Sequence, residues 1–240
     1  MYKDEDTKVK ILILVLAVIA YFLLNMLVGC TSIDKKIEIK PTPVSPIVSI
    51  LPSPSPIPII ILPELSWENT TAPHPERKPW SKKLWTFIDK RFEHLDKAKD
   101  TIKFCPKYPS LSYEQKVQVW CELFVAISYY ESGYDPRNES PDVGEQDDKN
   151  TWSVGLMQVS QVDIKNYNIK DMNYTYEDLL TVGPNLDLAT ALMANQIDKV
   201  GTILIGPGRN WLYWATLHPG GSYDESENII RRVKKLSFCK

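Results

Sequence analysis

Eleven of the chain's 18 prolines fall between residues 41 and 79, and that stretch holds no glycine. Proline fixes φ and removes a backbone donor, so such a segment enters neither a helix interior nor a central strand. Its densest part, Pro52-Ser-Pro-Ser-Pro-Ile-Pro58, reads as extended polyproline II. At about 3.1 Å per residue, Pro41 to Pro75 would reach roughly 100 Å. The chain therefore divides into something before a stiff spacer and one globular domain after it, over residues 80–240. Ile57 to Leu62 is unusually apolar for a spacer, which suits docking on the domain or on lipid.

Before the spacer, Ile11 to Val28 is an apolar run broken only by Asn25. Leu27-Val28-Gly29-Cys30 follows the pattern of a bacterial lipobox, and that resemblance implies lipidation of Cys30 after removal of a signal peptide. The competing reading is an uncleaved membrane anchor, because the run approaches bilayer-spanning length. Either way residues 1–30 attach the chain to a membrane and residues 31–79 are the linker. The rest is exported to the cell envelope. Thr31 after the cysteine, by resemblance to sorted lipoproteins, leans to the outer membrane.

Residues 112–131 read as a helix. Ser112 and Gln115 have capping-box spacing. Val117, Trp120, Cys121, Phe124, Ile127 and Ser128 recur at helical spacing, and Gly133 and Pro136 end the run. Glu131 extends the apolar stripe. A carboxyl there meets the negative end of the helix dipole and loses hydration, and both effects raise its pKa. A carboxylic acid protonated near neutral pH is what glycosidic cleavage requires of a general acid. Standing against this, a glutamate near a helix end is commonly a solvated surface residue.

Downstream, Glu131-Ser132-Gly133-Tyr134-Asp135-Pro136 is followed, after an acidic loop, by Ser153-Val154-Gly155-Leu156-Met157-Gln158-Val159. The paired motifs, in this order, resemble the lytic transglycosylases of the lysozyme-like superfamily. That resemblance covers roughly residues 110–236. It implies an all-α, lysozyme-like fold with a substrate cleft, peptidoglycan glycan strands as substrate, and no cofactor. It also implies Glu131 as acid and then base, with Ser132, Gly155, Met157 and Gln158 binding substrate. The family's third motif is a Tyr-Asn pair. This chain has Trp211-Leu-Tyr-Trp, without the asparagine; Tyr213 or Trp214 is the aligned aromatic, and Tyr213 is favoured because a phenol can hydrogen-bond Glu131.

A helix is expected from Gly155 to Tyr167 with Ser153 as its cap, and Leu156 and Met157 are expected to line the cleft. Further helices are expected after Ser81, from Asn185 to Val200 ending at Gly201, and after Asp224. The acidic loop, Asn138 to Asn150, holds Glu139, Asp142, Glu145, Asp147 and Asp148. One of these as a second carboxylate would make the enzyme a lysozyme-type hydrolase. A non-catalytic peptidoglycan-binding lipoprotein and a wall-opening component of a secretion apparatus also remain open. In an exported chain two cysteines should pair, and Cys105 with Cys239 is the expected choice, leaving Cys121 in the core. His74, His94 and His218 are scattered, so no metal site is expected. The formal net charge of −2 gives no sign of nucleic acid.

Overall fold

The computed structural model describes residues 62–141, 147–204, 206 and 213–240. The apolar run, Cys30, the densest prolines, Trp211, and Asp142 and Glu145 of the acidic loop lie outside these.

The described elements are mostly helical. They are α1 (Lys78–Leu95), α2 (Thr101–Phe104), α3 (Tyr113–Ser132), β1 (Glu139–Ser140), β2 (Ser153–Val154), α4 (Gln161–Asn166), α5 (Tyr176–Leu179), α6 (Val182–Val200) and α7 (Ser226–Val233). The two strands pair antiparallel, with Glu139 opposite Val154 and Ser140 opposite Ser153.

α3 is the axis of the domain. Its capping box forms as expected: Ser112 Oγ accepts from Gln115 N, and Ser112 N donates to Gln115 Oε1. At the other end Gly133 takes a left-handed φ of 62°. The sequence stripe understated its burial, because every residue from Val117 to Ser128 is buried. α1 and α7 cover two sides. A further side is covered by residues 62–68, which the sequence assigns to the linker, and the C-terminal end of α3 meets the turn at Ala215–Leu217. Leu65 and Trp67 are 4% and 0% exposed and belong to the core. This strap also satisfies the polar groups it covers. Gln118 Nε2 donates to the Pro63 carbonyl (2.8 Å), and Ser66 N donates to Glu122 Oε2 (3.1 Å). The folded domain therefore reaches back from residue 80 at least to Leu65. Packing sets that reach, and proline content hid it.

α1 also starts earlier than expected, at Lys78. Ser81 is inside it, where its hydroxyl accepts from Trp67 Nε1 (2.7 Å) and donates to Glu68 Oε1 (2.5 Å). α1 packs on α6 through a buried pair, Arg91 Nη2 to Asp187 Oδ1 at 2.6 Å, with Arg91 Nη1 also donating to Thr190 Oγ1. Gly201 ends α6 with φ 76°. Cys105 and Cys239 form a disulfide that ties α2 to the C-terminal segment, and Cys121 is free and buried. Among the described residues the core runs from Leu65 to Cys239. Among the described residues no helix is long and apolar enough to cross a membrane.

Candidate active site

Glu131 is the penultimate residue of α3 and lies on the wall of a cleft of about 610 Å³. Burial raises its pKa to about 6, against a lowering contribution from one hydrogen bond. That bond comes from Thr216, whose Oγ1 donates to Glu131 Oε1 at 2.7 Å. No protein donor among the described residues reaches Oε2.

The two sequence motifs meet behind this carboxyl. Ser132 Oγ donates to the Leu156 carbonyl (2.9 Å) and to Ser128 O (3.1 Å), so it joins the helix end to the Gly-Leu-Met-Gln segment. Asn138 extends the join. Its side chain donates to Glu131 O (3.4 Å), and its carbonyl accepts from Gly155 N (2.8 Å) and Gln158 Nε2 (3.2 Å).

The expected helix from Gly155 to Tyr167 is corrected. Residues 155–158 form a tight loop closed by mutual Val154–Val159 backbone bonds (3.0 and 3.1 Å), and the helix begins only at Gln161. Ser153 is in β2 rather than at a cap. Gly155 has φ 73°, and a Cβ there would stand 2.3 Å from Asn185 Nδ2, so the glycine admits asparagine. Asn185 opens out three bonds at once. Its Oδ1 accepts from Met157 N (2.9 Å), and its Nδ2 donates to Val154 O (2.8 Å) and Leu179 O (2.9 Å). Gln158, at φ 47°, lines the cleft with its amide turned back to Gly155 O (2.9 Å).

Two further expectations change. Leu156 and Met157 do not line the cleft, because both are 0% exposed and packed in the core. Tyr213 does not bond Glu131. It lines the cleft, with its hydroxyl donating to Asp163 Oδ2 and accepting from Ser160 N (3.2 Å). Tyr167 packs edge-on at 5.6 Å against the Tyr213 ring. Beside it, Trp214 Nε1 donates to the Met157 carbonyl (2.8 Å), so the residue after Tyr213 also pins the loop.

Sequence reasoning missed Thr216, Asp163, Tyr130, Tyr167 and Tyr223, all of which line the cleft. Thr216 sits in a single 3-10 turn, Ala215–Leu217, where no periodicity marks it. Ser140 faces the cleft, whereas its strand neighbour Glu139 is hydrogen-bonded to Tyr176 and is absent from the lining. Among the described residues no group of three or more His, Cys, Asp or Glu could hold a metal.

A family described as "Transglycosylase SLT domain" matches residues 109–237, more than half of the chain. The chain belongs to the SLT transglycosylase family. Among solved structures, wild-type DslA aligns at TM-score 0.61 and 26% identity, over 74% of this chain and 98% of DslA. A DslA variant with one glutamate changed to glutamine aligns at TM-score 0.59 and 27% identity, over 69% and 93% of the two chains. A second such variant, at another glutamate, aligns at 0.60 and 25%, over 73% and 97%. No curated protein sequence matches. This SLT domain is thus a lysozyme-like helical fold of the glycan-cleaving, peptidoglycan-directed type. The strap at 62–68 and all of α1 lie outside the family match, yet they complete its core.

Proposed function

We propose that the protein is a peptidoglycan lytic transglycosylase that cuts the β-1,4 bond from N-acetylmuramic acid to N-acetylglucosamine. Glu131 protonates the leaving oxygen as the bond to the muramyl C1 breaks. The substrate's 2-acetamido group steadies the positive centre. Glu131, now a carboxylate, takes the proton of the muramyl C6 hydroxyl, and that oxygen closes onto C1 as a 1,6-anhydro ring. No water is consumed, and the enzyme returns to its protonated start.

The observation that carries this reading is a single carboxyl, held near pKa 6, with one oxygen on Thr216 and the other free toward the cleft. It can release and recover a proton near neutral pH without a partner acid. Ser132, Gly155, Met157 and Gln158 serve that reading by fixing the loop behind the acid, through the bonds given above. Tyr213 serves by fixing the far wall.

A lysozyme-type hydrolase is the second reading, because Asp163 also lines the cleft. Its Oδ2 accepts from Ser160 N, Ser160 Oγ and the Tyr213 hydroxyl, which ties that oxygen to the wall of the cleft. The chain reaches its substrate, in this reading, as an envelope protein tethered by a lipidated Cys30 or by the Ile11–Val28 run.

Mass analysis of muropeptides released by residues 62–240 separates the readings. Anhydro-muramyl ends from wild type, and none from Glu131→Gln, are expected. Free reducing ends would establish the hydrolase. No release by either, with equal glycan binding, would make the domain a wall-binding module.

A further inference from the structure

We infer that the face formed by α2 and the C-terminal segment is a docking surface for an anionic lipid membrane. Residues 101–107 and 228–240 together carry seven cationic side chains and no acidic one, in a chain whose formal net charge is −2. The Cys105–Cys239 disulfide and the packing of α2 on α7 bring the two segments together. Lys103, Lys107, Arg231, Lys234, Lys235 and Lys240 are all exposed, and among the described residues none forms an ion pair. Two acids flank these segments: Asp100 is spent inside the fold, accepting from Ile203 N and Leu204 N at 2.8 Å each, and Glu227 is exposed in the first turn of α7, so the cations outnumber the one exposed flanking acid seven to one.

Charge alone would fit any polyanion, but two observations favour a lipid surface. In α2, Thr101 and Phe104 turn inward, so Ile102 and Lys103 turn outward, and Ile102 is 52% exposed. An aliphatic side chain presented beside unpaired lysines suits the boundary between headgroup and acyl chain. The second is where the chain enters. Pro63, Glu64 and Ser66 line one cavity with Glu122, Arg232, Lys235, Leu236 and Ser237, so residues 63–66 lie beside the edge of the basic face, where Arg232 and Lys235 also act on the buried Glu122. A membrane anchor would keep a lipid surface within reach of the domain, and this part rests on the proposed anchor. None of these residues lines the catalytic cleft.

Residues 62–240 contain the whole described core, and wild-type DslA is matched over 98% of its length by 74% of this chain. Binding is therefore measured on that domain without its tether, by flotation with vesicles of phosphatidylglycerol and phosphatidylcholine against phosphatidylcholine alone. Binding to the anionic vesicles only, weakened by salt, is expected. Reversing Lys103, Lys107, Lys234 and Lys235 to Glu should lower it by more than about tenfold. Changing the four to Gln covers the case in which reversal prevents folding, with circular dichroism as control. Ile102→Ser should lower vesicle binding severalfold while leaving capture by soluble polyphosphate unchanged.

The proposal is overturned by no binding, by binding indifferent to the four lysines, or by an Ile102→Ser variant that binds vesicles like wild type. The last result would mark a face for a soluble polyanion. Vesicle binding does not depend on the cleft, so its failure leaves the glycan-cleaving reading untouched.

Discussion

Glu122 and Glu131 stand nine residues apart on α3, about two and a half turns, and so face nearly opposite sides of the helix. Burial drives both toward the neutral form. Glu122 is 3% exposed under the strap, where Ser66 N donates to it and Arg232 and Lys235 offset part of its desolvation. Glu131 has one hydroxyl partner and opens on the larger cleft. A raised pKa therefore does not by itself make a catalytic acid. What separates the two is the space in front of the second oxygen, and a donor that holds the first without adding a charge.

The hardest test of that contrast removes the cover from the Glu122 side. A chain beginning at residue 76 lacks Leu65 and Trp67, and the strap groups that satisfy Gln118 and Glu122. Deleting two such buried side chains costs about 5 kcal/mol or more, comparable to the whole stability of a domain. Urea unfolding beside residues 62–240 should show no cooperative transition for the shorter chain. A loss below about 1 kcal/mol would mean that the strap is ornamental and Glu122 an ordinary surface acid.

Next in size is activity. Glu131→Gln should reduce muropeptide release by about 10²–10⁴-fold, the usual worth of a general acid and base. Glu122→Gln should stay within about twofold of wild type, because the amide oxygen still accepts from Ser66 N. Equal losses in the two variants would erase the distinction.

Stability should move the other way for Glu131. Its folded pKa, about 6, lies above the ordinary 4.5, so the folded state keeps its proton to higher pH than the unfolded chain. Relative to Glu131→Gln, wild type loses stability as pH rises from 4.5 to 6 and stays lower above that. At ~1.4 kcal/mol per pKa unit the variant gains up to about 2 kcal/mol at pH 8 and nothing below pH 4. Thermal unfolding across this range checks it, and a variant less stable than wild type at pH 8 would contradict the burial argument.

The helix carrying these two acids was legible in sequence down to its capping box and its glycine stop, because local chemistry fixes both ends. The burial of Glu131 at the end of that helix was legible because it continues an apolar stripe. The Gly-Leu-Met-Gln loop was misread as helical, since its shape depends on Asn185, nearly thirty residues onward, and on Trp214 beyond that. The strap was hidden for the opposite reason. Its prolines mark extended chain correctly, but extended chain also packs when it carries Leu65 and Trp67. Thr216 left no pattern at all, because one residue of a 3-10 turn has no period to show.

Thr216 provides the smallest and most selective test. Its hydroxyl favours the ionised carboxyl and opposes burial. Thr216→Val keeps the shape and removes the donor, so the pKa of Glu131 should climb above about 6. The acid form must be present for the first step, and wild-type kcat/KM should therefore fall as pH rises through about 6. In Thr216→Val that limb should move to higher pH by several tenths of a unit, the scale of one neutral hydrogen bond. In the proposed mechanism the rate should also drop by about tenfold or less, because the Glu131 carboxyl is less well aimed. Thr216→Ser keeps the donor and should restore the limb. A limb that stays fixed while the rate falls would show that the hydroxyl acts on substrate, and the contrast with Glu122 would then rest on access to the cleft alone.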